Sequence, residues 1–424
     1  MAKKKKKAEK PQREFTRRQL SHYQRQKRRQ RLIFGGGVFI IAVIVVIVLI
    51  GWYTGEYRPL RQTAIRVNDT EFDMGYYIDA LRLSGEGQSA ERLQSLANSM
   101  VNEIERTELV RQEALKFGIS ISDDEVKKQI EGSDVPINDA SLDVFRVRML
   151  RDRLLAEYFS AQVPTSAEQV HIMAMLLESQ RQADEIRGRL QAGEDFTALA
   201  EEFSLDYPTK VSKGDLDWAP ENILTPWLGT SVPWDYAIGS EVGTLSQPRY
   251  DEGASKAVGY WLVRVQEKDE GAEQAQVQWL LLGSEEEALD VRARLEAGED
   301  LAALAEEFSQ HEESSAKGGE MGVVQGDWLS PALKEHIFNP EVELGIWSEP
   351  IRDETVSTTG GYWLIKVMGK DDNRPLAEED REHLLGEAFN EWVASLMADP
   401  FNVIDDSYLD SERRQWAIEQ VMKG

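Results

Sequence analysis

The chain has 424 residues, a net charge of −26 and no cysteine, so disulfides and thiolate chemistry are excluded. The first 31 residues carry 14 Lys and Arg against two Glu, a net charge of +12, so the remainder has a net charge of −38. A nucleic-acid-binding protein would carry its basic charge on a folded domain, so no nucleic acid partner is expected. Five scattered histidines and the lack of a glycine-rich phosphate loop predict no metal, nucleotide or other cofactor.

An apolar segment follows the basic tail, residues 1–31, without interruption. Residues 32–52 contain no charged side chain and match the ~20 residues that a helix needs to cross a bilayer. The positive-inside rule places the tail in the cytoplasm and the rest of the chain outside. We therefore predict a single-pass transmembrane helix at 32–54, in contact with the lipid bilayer of the cell membrane through 32–52. The alternative is a cleaved signal peptide, which would have a shorter apolar core and a small-residue cleavage site.

Residues 63–164 predict a helical domain that begins with a short strand. The apolar spacing in SLANSMVNEIERTELVRQEALKFG, at 95–118, indicates one long amphipathic helix. Ser122 with Glu125 three residues later predicts a capping box at the start of the next helix. The C-terminal segment 376–424 is also helical in pattern, and its apolar face predicts that it packs back on this domain.

A repeat occupies the region between these helical segments. RLQAGEDFTALAEEFS, at 189–204, shares 13 of 16 positions with RLEAGEDLAALAEEFS, which begins 105 residues later. GYWLVRV, at 259–265, returns as GYWLIKV, at 361–367. The repeat predicts two tandem α+β domains, at 167–268 and 273–370.

Each copy has the pattern of a strand, a helix, a short helix, a loop and a closing strand. We expect GYWLVRV to close the sheet of the first copy and GYWLIKV that of the second. With a period of two, Trp261, Val263 and Val265 share the apolar face of the closing strand.

The two copies resemble the parvulin type (PpiC) of peptidyl-prolyl cis–trans isomerase. The first copy matches through AGEDFTALAEEFS, KGDLDW, LSQP and GYWLVRV, and the second through AGEDLAALAEEFS, GGEMG, WSEP and GYWLIKV. The preceding VNDTEFD and LVRQEALKFGISISDDEV are similar to the helical chaperone domain of SurA- and PrsA-type extracytoplasmic foldases. The resemblance implies an FKBP-like α+β fold, no cofactor, and isomerisation of X–Pro bonds in unfolded or proline-containing exported polypeptides.

Parvulins use two histidines, a Cys or Asp, and apolar residues that clasp the proline. Asp206 matches the Cys/Asp position in the first copy, and the same step in the second copy reaches His311. The second histidine of the family is replaced by Trp261 and by Trp363.

The position of the first histidine depends on the alignment. An ungapped alignment of the copies places it at Ala174 and Trp279. A register shifted by three residues would use His171 instead, which lies on the opposite face of the strand. The resemblance thus gives Asp206, with His171 and Trp261, as candidate catalytic residues.

The apolar residues near the proline-clasping position give the candidate substrate pocket, formed by Phe203, Trp234, Leu333 and Trp363. The first copy is the better candidate for catalysis, because it keeps Asp206 and the KGDL turn. Loss of both histidine positions favours an alternative, a holdase chaperone whose two degenerate parvulin domains bind peptides without catalysis. A third hypothesis is that the two domains form a scaffold for one dedicated partner protein.

Overall fold

The computed structural model describes residues 17–133 and 135–423, so residues 1–16 of the expected basic tail lie outside the described residues. The helices are α1 Arg17–Trp52, α2 Arg58–Leu60, α3 Met74–Gly85, α4 Ala90–Lys116, α5 Asp123–Ile130, α6 Asp139–Glu157, α7 Gln180–Gln191, α8 Phe196–Phe203, α9 Tyr207–Val211, α10 Glu221–Leu228, α11 Val232–Gly239, α12 Glu285–Glu296, α13 Leu301–Phe308, α14 Glu312–Ala316, α15 Pro331–Ile337, α16 Glu378–Ala398 and α17 Ser411–Lys423. The strands are β1 Thr63–Val67, β2 Thr70–Asp73, β3 Ser166–Leu177, β4 Asp215–Ala219, β5 Arg249–Lys256, β6 Gly259–Asp269, β7 Gln274–Leu282, β8 Glu320–Gln325, β9 Ile351–Asp353, β10 Thr358–Pro375 and β11 Ile404–Asp405.

The chain divides into two compact units. The first unit comprises Met1–Phe159 with Phe389–Gly424, and the second comprises Ser160–Ala388. Within the described residues of the first unit, the segment Gly36–Leu60 is long and apolar enough to cross a membrane by length and composition. It begins four residues after the expected start at 32 and extends six residues beyond the expected end at 54.

The first unit is a helical domain around a three-stranded sheet. Helices α3, α4 and α17 contribute most of its core, which also contains Leu396 from α16. Strand β11 adds to β1 with Arg66 opposite Asp405, so the C-terminal segment completes the sheet of this unit. Ser122 and Glu125 form the reciprocal capping box at the start of α5.

The second unit contains two four-stranded antiparallel sheets whose closing strands are exchanged. One sheet has the order β4-β3-β10-β5, and the other has the order β8-β7-β6-β9. We call the first sheet with α7 to α11 lobe 1, and the second sheet with α12 to α15 lobe 2. GYWLVRV in β6 therefore closes the sheet of the second copy, and GYWLIKV in β10 closes that of the first.

This exchange corrects the expectation that each copy closes its own sheet within 167–268 and 273–370. Lobe 2 is complete between β6 and β9 and is inserted in lobe 1, which needs β10 to close. Trp363 pairs with Leu176 of β3, while Trp261 pairs with Leu281 of β7. The two closing strands have the same apolar alternation, so either one satisfies the register that a half-buried sheet demands.

Each sheet is covered on both faces. In lobe 1, one face packs against α10 and α11, and the opposite face packs against α7 and α8. The face toward α10 and α11 carries Val170, Ile172, Ala174, Leu176, Trp363, Ile365 and Val367. The matching face of lobe 2 packs against α15 and carries Trp261, Val263, Val265, Val277, Trp279 and Leu281. We call these two surfaces the indole faces, because each contains the Trp of a closing strand.

Candidate functional site

Three aromatic rings meet on the indole face of lobe 2. The ring centroids of Trp261 and Trp279 are 5.6 Å apart, and that of His311 lies 5.3 Å from Trp261 and 6.0 Å from Trp279. Strands β6 and β7 supply the two indoles, and His311 caps α14. The three residues are those that the ungapped alignment assigns to the second histidine, the first histidine and the Cys/Asp position.

His311 combines a capping role with a place among these rings. Its Nδ1 accepts a hydrogen bond from the backbone N–H of Ser314 at 3.2 Å. Burial lowers the pKa of His311, which favours the neutral ring at pH 7. A neutral imidazole that accepts at Nδ1 carries its proton on Nε2, so Nε2 is a hydrogen-bond donor.

The indole of Trp279 holds a second donor. Its Nε1 is buried and has no hydrogen-bond partner among the described residues. A buried N–H without a partner costs roughly 1–3 kcal/mol. Lobe 2 therefore keeps two N–H groups at the positions where the resembling family has polar site residues.

The indole of each closing strand is anchored by a carboxylate. Trp261 donates from Nε1 to Oδ2 of Asp353 at 3.0 Å, and Trp363 donates to Oδ2 of Asp251 at 2.9 Å. All four residues are buried. Hydrogen bonds to a charged acceptor are stronger than neutral ones, so each indole is fixed in its place on the sheet.

The indole face of lobe 1 is filled in a different way. Trp363 is only 1% exposed and is among the largest fully buried side chains of the described residues. Trp234 from α11 shares its cluster, and Ala174 stands where lobe 2 has Trp279. Side chains therefore fill this face of lobe 1.

Asp206 caps a helix in lobe 1. Its Oδ2 accepts a hydrogen bond from the backbone N–H of Thr209 at 2.9 Å. Burial raises the pKa of Asp206 above its ordinary value. Asp206 and His311 thus hold equivalent places, each at the N-terminus of the short helix that follows the EEFS segment.

The structure separates the expected catalytic set. Trp261 lies in the sheet of lobe 2, whereas Asp206 lies in lobe 1, because the closing strands are exchanged. His171 alternates away from Ala174 and so does not share the indole face; its Nε2 lies 2.8 Å from Oδ1 of Asp215. The ring of His171 also contacts Trp218, at a centroid distance of 5.9 Å.

The expected proline pocket is divided in the same way. Trp234 and Trp363 lie together on the indole face of lobe 1, and Leu333 lies with Trp261 on that of lobe 2. Phe203 packs on the opposite face of the lobe 1 sheet, where the guanidinium of Arg189 covers its ring at 5.2 Å. Phe203 therefore cannot contact a ligand on the indole face.

The sequence did not predict the cluster of three aromatic rings in lobe 2. The ungapped alignment already placed Trp279 and His311 at family site positions, yet neither is among the candidate site residues predicted from the sequence. Within residues 17–133 and 135–423, no group of three or more His, Asp or Glu side chains is arranged to hold a metal ion.

Comparison with known proteins identifies the repeat. The family model "Rotamase: PPIC-type PPIASE domain" matches twice, at residues 171–267 and 262–369. The chain is 27% identical over 174 residues to the foldase protein PrsA of Caldanaerobacter subterraneus, covering 38% of this chain and 55% of PrsA. It is 22% identical over 345 residues to the chaperone SurA of Chromohalobacter salexigens, covering 78% of this chain and 70% of SurA.

The peptidylprolyl isomerase PrsA of Bacillus anthracis is 12% identical to the chain, with a TM-score of 0.27 over 76% of this chain and 96% of that structure. The matched part of the chain covers only about half the length of the PrsA of Caldanaerobacter subterraneus.

Proposed function

We propose that this chain, which carries two PPIC-type rotamase domains and is homologous to SurA and PrsA foldases, is a membrane-anchored chaperone that binds unfolded exported polypeptides outside the cytoplasm. The anchor is the apolar segment Gly36–Leu60, and the basic residues before it favour a cytoplasmic N-terminus. In this function the two lobes bind extended chains without catalysing a reaction on them.

The filled indole faces are the observation that carries this proposal. An isomerase must hold the proline ring in a pocket that favours the twisted transition state over the planar amide, against a barrier of ~18–20 kcal/mol. Trp363 in lobe 1, and Trp261 with Trp279 in lobe 2, occupy the corresponding surface and are at most 6% exposed. No histidine stands at either family histidine position, so the acid–base character of the site is reduced.

X–Pro isomerisation is the second candidate function. Its support in lobe 1 is Asp206, a buried carboxyl whose pKa is raised by burial, since perturbed groups of this kind concentrate at active sites. Its support in lobe 2 is the pair of N–H donors on Trp279 and His311, which could hydrogen-bond the carbonyl of a bound peptide after a local rearrangement.

Two assays on the full chain in detergent micelles distinguish the candidates. One follows aggregation of guanidine-unfolded citrate synthase after dilution, and the other follows isomerisation of a prolyl tetrapeptide. We expect suppressed aggregation and no acceleration of the tetrapeptide reaction above background. Acceleration would support the isomerase instead, and failure of the chain to suppress aggregation would contradict the chaperone.

Matched variants locate any isomerase activity. Asp206→Ala removes the α9 cap of lobe 1, and Asp195→Ala removes the cap of α8 in the same lobe as a control. His311→Ala and Asp300→Ala form the corresponding pair in lobe 2. Because both members of a pair lose a helix cap, only a site role makes the first variant lose more activity than the second.

A further inference from the structure

The repeat allows the two sheets of the second unit to close in two ways. GYWLVRV and GYWLIKV differ at two positions, and both differences conserve side-chain character. Asp251 and Asp353 each accept a hydrogen bond from an indole of a closing strand. An unexchanged closure, with β6 beside β3 and β10 beside β7, would therefore keep the same apolar contacts and the same indole–carboxylate bonds.

Contacts at the crossing of the two strands differ between the closures. We call residues 255–258 and 358–360 the crossing segments. They pair with each other in the exchanged closure, Thr358 opposite Lys256 and Thr359 opposite Ser255. In an unexchanged closure the same residues would lie in separate hairpin loops, one in each lobe, and this pairing would be absent.

Lys256 joins the crossing segments with its side chain. The residue is only 2% exposed, and its Nζ donates to the carbonyl oxygens of Thr359, at 3.0 Å, and of Gly360. At the position equivalent to Lys256 stands Thr358, whose Oγ1 donates to the carbonyl of Val258. Each crossing segment thus binds the backbone of the other through one side chain.

Because the ammonium group of Lys256 is buried, the closure that supplies its hydrogen-bond acceptors is favoured. Burial lowers the pKa of Lys256 to about 8, which leaves the charged form dominant at pH 7. Glu287 and Glu178 favour that charge electrostatically. Separation of the crossing segments would deprive the ammonium of both carbonyls, and hydrogen bonds to charged groups are stronger than neutral ones.

Gln310 of lobe 2 adds a further tie to the same segment. Its Nε2 donates to the carbonyl of Thr359 at 3.1 Å, and its Oε1 accepts from the backbone N–H of Thr359 at 2.7 Å. Lys256 and Gln310 therefore both bind the backbone of Thr359, while Thr358 binds the backbone of Val258.

We propose that the paired crossing segments, held by Lys256, are a conformational clasp that selects the exchanged closure of the two lobes over the unexchanged closure. The clasp makes lobe 1 and lobe 2 a single interlinked unit. Without the clasp, β6 can close the sheet of the first copy and β10 can close the sheet of the second copy.

The cysteine-free sequence allows a direct test with engineered disulfides. Met173 lies opposite Lys366 in the exchanged sheet and would lie opposite Arg264 in the unexchanged one. One protein carries M173C, R264C and K366C together, so that a disulfide between positions 173 and 366 reports the exchanged closure and one between positions 173 and 264 reports the unexchanged closure. Each protein is unfolded in denaturant, refolded as the full chain in detergent micelles, oxidised and analysed by peptide mass spectrometry.

The test combines these reporters with K256M, and with K213M as a control on an exposed lysine of lobe 1. We expect the parent and K213M to form the exchanged disulfide almost alone. K256M should raise the ratio of unexchanged to exchanged disulfide about tenfold, as expected from loss of bonds to a buried charge. A K256M ratio equal to that of the parent would overturn the proposal, as would a parent that forms both disulfides equally.

A second variant protects the test against misfolding of K256M. T358V keeps the branched shape of the threonine and removes only its bond to the carbonyl of Val258. We expect a smaller shift of the ratio in the same direction. If K256M does not fold, an unchanged ratio in T358V overturns the proposal, and a raised ratio supports it.

Discussion

Lobe 1 and lobe 2 have the same strand order and the same indole–carboxylate bond, yet their indole faces are filled by different side chains. Lobe 1 has the small Ala174 on its first strand and the large Trp234 on a helix above it. Lobe 2 has the large Trp279 on its first strand and the smaller Leu333 on the helix. Both faces are closed, but the bulky ring comes from the sheet in one lobe and from the helix in the other.

This difference shows what the two copies preserve. Cores tolerate changes of residue when total volume and apolar pattern are kept. Polar site groups are not preserved in the same way, since Asp206 in lobe 1 corresponds to His311 in lobe 2. We infer that packing of the indole face, rather than one set of reacting groups, is common to the two lobes.

The largest expected effect comes from removal of the indoles themselves. Trp363→Ala and Trp261→Ala should each lower the free energy of unfolding by about 3–5 kcal/mol, because each leaves a large cavity in a buried face. Denaturant unfolding of the full chain in micelles, followed by circular dichroism, measures the loss. A loss below about 1 kcal/mol in either variant would show that its indole lines an open pocket instead of a core.

A second test moves the bulky ring of lobe 1 from the helix to the sheet, as in lobe 2. Ala174→Trp should destabilise lobe 1 by about 1–3 kcal/mol, because Trp234 already fills the face. Adding Trp234→Leu gives lobe 1 the arrangement of lobe 2 and should recover part of the loss. A double-mutant cycle on the free energy of unfolding measures the coupling, expected at about 0.5–3 kcal/mol. Strict additivity would show that the two side chains do not share one space.

Removal of the carboxylates should have a smaller effect than removal of the indoles. Asp251→Ala and Asp353→Ala leave a buried indole N–H without an acceptor, at a cost of about 1–3 kcal/mol. The same unfolding measurement applies, with Asp184→Ala on an exposed part of α7 as the control. Similar losses in both lobes would support the equivalence of the two bonds, and a loss in only one lobe would restrict it to that lobe.

The smallest expected effect is a difference between the lobes in pH dependence. Burial lowers the pKa of His311 in the folded state from its ordinary value of 6.5, so the unfolded state takes up a proton first as pH falls. Stability from this residue should therefore decrease as pH falls below 6.5, and half-buried His336, whose pKa is also lowered by burial, adds an effect of the same sign. The raised pKa of Asp206 acts oppositely, because the folded state then takes up the proton first.

Unfolding free energies between pH 4 and pH 8 test this difference. His311→Gln should weaken the loss of stability on the acid side. An identical pH profile for the parent and His311→Gln would contradict a half-buried neutral histidine in lobe 2.

Much of the second unit could be predicted from the sequence, because each sequence pattern occurs once in each copy of the repeat and the two occurrences can be aligned. The ungapped alignment identified Ala174 and Trp279 as equivalent, and the structure places them on matching indole faces. Strand alternation alone put His171 on the opposite face from Ala174. These inferences are local, so they do not depend on which strand closes which sheet.

The exchange of closing strands could not be predicted for the same reason. GYWLVRV and GYWLIKV fit either sheet, so neither apolar pattern nor family match distinguishes the two closures. The deciding contacts of Lys256 join residues that are about a hundred positions apart and carry no sequence motif. The predicted grouping of Asp206 with Trp261 does not hold in the structure, because Asp206 lies in lobe 1 and Trp261 lies in β6, which closes the sheet of lobe 2.

The exchanged strands also give the two lobes very different contact orders. In lobe 2, β6 and β7 are neighbours in sequence, with Arg264 opposite Gln278. In lobe 1, Met173 must find Lys366, about two hundred residues further along the chain. A chain made from its N-terminus can therefore pair β6 with β7 early, whereas β3 waits for β10 until nearly all of the second unit has been made.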